Sequence, residues 1–146
     1  MMTMGQRERF GSHLGLERIV RVCDALENPQ KDLRCIHIAG TSGKGSVSAL
    51  LTGVLMRSGL KVGTFTSPHL VDYSERFQIN REAIDGETLE EVVNKAEAAC
   101  RAVEAAYPEF GAVTEFELAT AVGFLYFQKE RVDIAVIETG LGGRLD

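Results

Sequence analysis

Seven consecutive residues, Gly40-Thr41-Ser42-Gly43-Lys44-Gly45-Ser46, restrict the fold of this chain more than any other feature. They follow a short apolar run, Cys35-Ile36-His37-Ile38-Ala39, which reads as a strand. They lead into Ser46 to Arg57, where Val47, Leu50, Leu51, Val54 and Leu55 share one helical face and Gly59 stands at the C-terminal cap position. A second strand is predicted from Val62 to Phe65. The strand–loop–helix–strand order is a βαβ unit, which requires parallel strands and an α/β fold.

A glycine-rich turn between a strand and a helix suits phosphate. Glycines let the backbone fold around phosphate oxygens, the helix N-terminus adds partial positive charge, and Lys44 supplies a full one. Two better-known patterns do not fit. GxxxxGK[ST] fails because residue 38 is Ile and Gly45 separates Lys44 from Ser46. The dinucleotide fingerprint fails because residue 48 is Ser where a third glycine is needed. A glycine-rich turn with an incidental lysine is the competing reading.

The rest of the chain continues the α/β pattern. Leu16, Ile19, Val20, Cys23 and Leu26 recur at helical spacing before Asn28-Pro29. Arg76 to Ile79, ahead of Asn80-Arg81, fits an edge strand or a hairpin arm. Helical spacing returns from Thr88 to Tyr107 through Leu89, Val92, Val93, Ala96, Ala99, Cys100 and Val103. Thr114 and Glu117 match a capping box before the apolar helix Phe116 to Phe127. Val132 to Glu138 is nearly all apolar, as a central parallel strand should be. The loop Thr139-Gly140-Leu141-Gly142-Gly143-Arg144 follows.

The net charge of -5 argues against nucleic acid or an anionic membrane as partner, since both need a basic face. No apolar run is long enough to span a bilayer, and Met1 to Phe10 lacks the apolar core of a secretory signal. Cys23, Cys35 and Cys100 are odd in number and form no CxxC pair, so they read as reduced, buried thiols of a cytoplasmic protein, without a metal or redox role. His37, between two isoleucines of a strand, reads as a buried structural histidine.

Four segments together carry a family resemblance. GTSGKGS resembles the phosphate loop of the Mur ligase superfamily in its folylpolyglutamate/dihydrofolate synthase form, usually GTNGKGS, with Ser42 in place of Asn. TSPHLVDYSERFQIN (Thr66 to Asn80) resembles that family's TSPH segment and the loop after it. VTEFELATAVGFLYF (Val113 to Phe127) resembles its TEFE helix, and VDIAVIETGLGGRLD (Val132 to Asp146) its Glu-bearing strand and glycine loop. The four stand in the family's order and cover nearly the whole chain.

The resemblance implies a P-loop NTPase-like parallel sheet with flanking helices, the Mur ligase central domain, with residues 1–146 forming a partial N-terminal ATP-binding unit and the C-terminal domain absent. It implies ATP and Mg²⁺ as cofactors and a ligase that adds L-glutamate to a folate or dihydropteroate carboxylate through an acyl phosphate. The full-length form is expected to be monomeric, and the 146 residues alone inactive. Gly40, Thr41, Ser42, Gly43, Lys44, Gly45 and Ser46 are matched to the phosphate cradle, and Ser67 and Glu138 to the Mg²⁺ ligands; Lys44 and Glu138 are expected to be catalytic. His69, Arg76, Glu115 and Glu117 are weaker candidates for substrate, with Arg144 behind them. Glu115 and Glu117 equally suit helix N-terminal acids, and His69 an exposed loop. Another small-molecule phosphotransferase and a non-catalytic nucleotide-binding module are the competing functions.

Overall fold

The computed structural model describes residues 15–67, 71–140 and 146. Their strands are β1 (Cys35–Ile38), β2 (Val62–Phe65), β3 (Phe77–Ile79), β4 (Glu82–Ala83) and β5 (Ile134–Glu138), and their α-helices are α1 (Glu17–Ala25), α2 (Lys44–Arg57), α3 (Gly86–Ala106) and α4 (Glu115–Lys129). The strands form one sheet in the order β1-β5-β2-β3-β4. β5 lies parallel to both β1 and β2, while β3 and β4 add an antiparallel hairpin. The sheet is therefore mixed, where the sequence resemblance implied a parallel one.

The hairpin closes at Asn80 and Arg81, both with positive φ (49° and 66°). That is the two-residue turn whose twist matches paired antiparallel strands. Asn80 secures it by accepting a hydrogen bond from the Val62 amide at 2.9 Å. Phe77–Ile79 is thus a hairpin arm paired on both sides, not an edge strand, and Arg76 ends the short 3-10 turn before it.

The core lies on the face covered by α1, α3 and α4, with Phe65, Phe77, Phe127, Leu118 and Val122 at its centre. Gly63 is the point of closest approach: a Cβ there would stand 2.7 Å from the Phe127 ring. α4 starts on the expected capping box, with the Thr114 side chain accepting from the Glu117 amide and the Glu117 carboxylate accepting from the Thr114 amide. α3 is capped by Asp85, which accepts from the Thr88 amide at 2.8 Å.

On α1 most of the expected face holds: Cys23 and Leu26 are buried and Ile19 packs against the core, joined by Val22 and Arg18, while Leu16 and Val20 are exposed. α2 faces otherwise than its apolar spacing predicts. On α2 the buried residues are Ser48 and Thr52; Val47, Leu50 and Val54 are 46%, 69% and 55% exposed. α2 is apolar around most of its girth, so periodicity does not determine its rotation. The position of Lys44 does, because Ser48 and Thr52 follow it at four-residue steps and occupy the same line on the helix. Among the described strands β1 lies at the edge of the sheet, which leaves Cys35 and His37 exposed and corrects the reading of both as buried. Cys23 and Cys100 are buried, and burial pushes the Cys23 thiol up to about 11. No helix among the described residues is long and apolar enough to cross a membrane.

Candidate functional site at the C-terminal edge of the parallel strands

Gly43 caps α2 with φ 79°, a left-handed conformation that glycine adopts without the cost a Cβ would add. Because of this turn the helix begins at Lys44, two residues earlier than its apolar spacing suggested. The first helical hydrogen bond runs from the Val47 amide to the Gly43 carbonyl at 3.1 Å. The amides of Lys44, Gly45 and Ser46 precede it and form the positive end of the helix. Gly40, Thr41, Ser42, Gly45 and Ser46 are all exposed around this end.

Strand register brings the other candidates to the same place. Ile38 pairs with Glu138, and Phe65 with Ile137, so β1, β5 and β2 end side by side. Lys44 Nζ crosses from α2 to donate to the Thr139 carbonyl at 3.0 Å. Glu138 is 5% exposed, and the Ser67 backbone amide donates to its carboxylate. Burial raises the Glu138 pKa, while the nearby Lys44 charge and the Ser67 hydrogen bond oppose the rise. Lys44, Glu138 and Ser67, 94 residues apart at the extremes, thus share one edge of the sheet.

This set fits a magnesium–nucleotide site. Mg²⁺ on a nucleotide takes one or two protein oxygens and keeps several waters. Among the described residues no group of three or more His, Cys, Asp or Glu could hold a metal alone. A buried carboxylate with a serine beside it and a lysine at the adjoining helix start is the sparser arrangement magnesium prefers.

The buried carboxylate also predicts a pH-dependent stability. A raised pKa means the folded chain binds the Glu138 proton more readily than the unfolded chain. Stability from this group is therefore greatest at low pH and falls as pH rises through the folded value. Glu138→Gln, without nucleotide, should melt higher than the parent at about pH 7 and equal it near pH 4. Equal melting temperatures throughout would mean that Glu138 is not held in a desolvated place.

Arg76, Glu115 and Glu117 lie toward the same edge but on the α4 side of the sheet. Arg18 Nε donates to Glu117 at 2.7 Å, and Arg18 also donates to the Phe110 carbonyl at 2.6 Å. Arg76 stands 3.2 Å from Glu115 without hydrogen-bond alignment, so the contact is an ion pair, and its guanidinium covers the Tyr73 ring. Arg76, Glu115 and Glu117 are thus engaged in largely buried pairs at the α4 N-terminus. His69 and Arg144 lie outside the described residues. Sequence reasoning missed Arg18, whose partner is 99 residues away, and the Thr139 carbonyl, which no side-chain pattern could flag. An open cavity of about 330 Å³, lined by Asp32, Leu33, Phe127, Gln128, Arg131 and Val132, lies at the opposite edge, beside the starts of β1 and β5. Ligands of open α/β sheets bind at the other end.

A glycine loop between β1 and α2, with a carboxylate closing the neighbouring strand, defines an α/β domain of the phosphate-loop class. Comparison with known proteins narrows this. No family model matches the chain. Over 141 residues it is 41% identical to the dihydrofolate synthase/folylpolyglutamate synthase of Bacillus subtilis, a match spanning 96% of this chain and 32% of that protein. The folylpolyglutamate synthase of Mycobacterium tuberculosis complexed with ADP superimposes with a TM-score of 0.90 at 34% identity, over 98% of this chain and 32% of the other. A folylpolyglutamate synthase–AMPPCP–folate complex also gives 0.90, at 39% identity, over 98% and 35%. The chain is a homologue of the folylpolyglutamate/dihydrofolate synthases, spanning about a third of the length of the relatives it matches.

Proposed function

We propose that this chain is the nucleotide-binding part of an ATP-dependent ligase that joins L-glutamate to a carboxylate of a folate or of dihydropteroate. The observation that carries the reading is the meeting of Lys44, Glu138 and Ser67 at one sheet edge, within a sequence 41% identical to such a synthase. The amides at the start of α2 and Lys44 bind the nucleotide phosphates. Glu138 and the Ser67 hydroxyl hold Mg²⁺, which when bound neutralises charge on those phosphates. The acceptor carboxylate takes the terminal phosphoryl group of ATP, ADP leaves, and an acyl phosphate forms. The glutamate amine then attacks its carbonyl carbon, loses a proton as the amide forms, and phosphate leaves. This chain's residues contribute positioning and charge, and none serves as a covalent nucleophile. We read the full-length form as a cytoplasmic monomer.

The 146 residues alone bind nucleotide without turnover in this reading. The chain spans about a third of its relatives, and the exposed apolar residues Val47, Leu50 and Val54 of α2 fit a unit that packs against more protein. The test is phosphate release with ATP, glutamate and a pteroate or folate acceptor. The 146-residue chain should give none, and a form extended by the C-terminal part of a relative should give glutamate-dependent release. Turnover by the short chain would overturn the division of labour. A phosphorylated product formed without glutamate would mark a phosphotransferase instead.

A further inference from the structure

The inner line of α2 carries Lys44, Ser48 and Thr52. Thr52 and Thr64 are hydrogen-bonded through their hydroxyls at 2.9 Å, and Thr64 lies opposite Val136 in the β2–β5 register. From that anchor the helix and the strands climb together toward the sheet's C-terminal edge. Four helical residues rise about 6 Å, and two strand residues rise about 6.6 Å. Ser48 therefore lies level with Glu138, two residues beyond Val136. Strand alternation puts Glu138 and Val136 on the same face, the one α2 covers. The Lys44–Thr139 bond one turn higher fixes the upper end of this alignment.

Ser48 is fully buried, and its Oγ has no hydrogen-bond partner among the described residues. A helical serine can satisfy itself on the carbonyl four residues back, as Ser58 does with Val54 at 3.1 Å. Ser48 does not, so a buried hydroxyl on the helix line that leads to Lys44 stands ready for a partner at the level of the carboxylate. A hydroxyl donates one hydrogen bond and accepts two, so it can hold a water that donates to a carboxylate.

We propose that Ser48 is a positioning residue for the cation site: its hydroxyl, through one ordered water, holds the Glu138 side chain in the orientation that receives the nucleotide's magnesium. The proposal rests on the reading of Glu138 as a magnesium ligand. Partners of ligating carboxylates commonly matter about 10–100-fold in metal affinity, and an ion that keeps most of its waters belongs at the low end of that range.

The experiment is calorimetric titration of AMPPCP into the 146-residue chain at graded Mg²⁺ concentrations and in EDTA, for the parent, Ser48→Ala, Ser48→Cys and Glu138→Gln. In Ser48→Ala the Mg²⁺ concentration giving half-maximal binding should rise about 10-fold, with the EDTA affinity unchanged. The ligand-free melting temperature should hold or rise, because the hydroxyl removed has no partner to lose. Ser48→Cys, with a weak donor of similar size, should fall between. An unchanged Mg²⁺ dependence in Ser48→Ala, with a raised one in Glu138→Gln, overturns the Ser48 role and leaves the cation reading standing. If neither variant moves it, the cation reading fails and takes the Ser48 role with it. Equal loss of affinity with and without Mg²⁺, together with lower melting, would make Ser48 a packing residue and overturn the proposal.

Discussion

Lys44→Ala should weaken Mg·ATP binding on the order of 100-fold while the fold survives. Within the described residues the Lys44 ammonium makes one hydrogen bond, to the Thr139 carbonyl, and the side chain is half-buried. Losing a hydrogen bond from a charged group costs about 1.5–3 kcal/mol of stability, and a half-buried one belongs at the low end. Losing a desolvated charge opposed to phosphate costs roughly 2–5 kcal/mol of binding. The second effect is the larger, so ligand affinity should fall further than stability. A smaller consequence follows at Glu138, where the Lys44 charge opposes the effect of burial; without it the carboxyl rises further. The measurement is the melting shift induced by Mg·ATP in parent and variant, with circular dichroism as the control. Equal shifts would remove Lys44 from the phosphate site, and a collapsed spectrum would make it a structural lysine.

Arg18→Met should destabilise the chain by about 3–5 kcal/mol, the usual cost of leaving one partner of a buried pair without its opposite charge. The Arg18 and Glu117 side chains are 4% and 13% exposed, so solvent screens the pair little. Glu117 also closes the α4 capping box, and Arg18 ties α1 to the Phe110 carbonyl, so one guanidinium joins three parts of the chain. Urea unfolding checks the loss. Arg18→Met combined with Glu117→Gln should recover much of it, because the stranded carboxylate is then gone. A single variant as stable as the parent would show that the pair contributes nothing, and would free Glu117 for the substrate role its position in the motif suggested.

Much of this protein was legible before any coordinates. The phosphate loop, the strand before it, the Thr114 capping box and the helix from residue 86 to 106 depend on hydrogen bonds and apolar spacing within a few residues, which a linear sequence states directly. The family motifs named Lys44, Ser67 and Glu138, though spacing alone could not say that they meet.

Tertiary structure decided what depends on distant partners. β5 enters between β1 and β2, and only that insertion sets Glu138 beside Lys44. The rotation of α2 could not be read from a helix apolar on several sides; the geometry of Lys44 against β5 chose the polar line of Ser48 and Thr52 to face the sheet. Position at the sheet's edge, not the Ile-His-Ile pattern, left His37 exposed. Arg18 found Glu117 across 99 residues. Short-range order is written in periodicity, whereas a buried charge acquires its partner only when packing closes the chain around both.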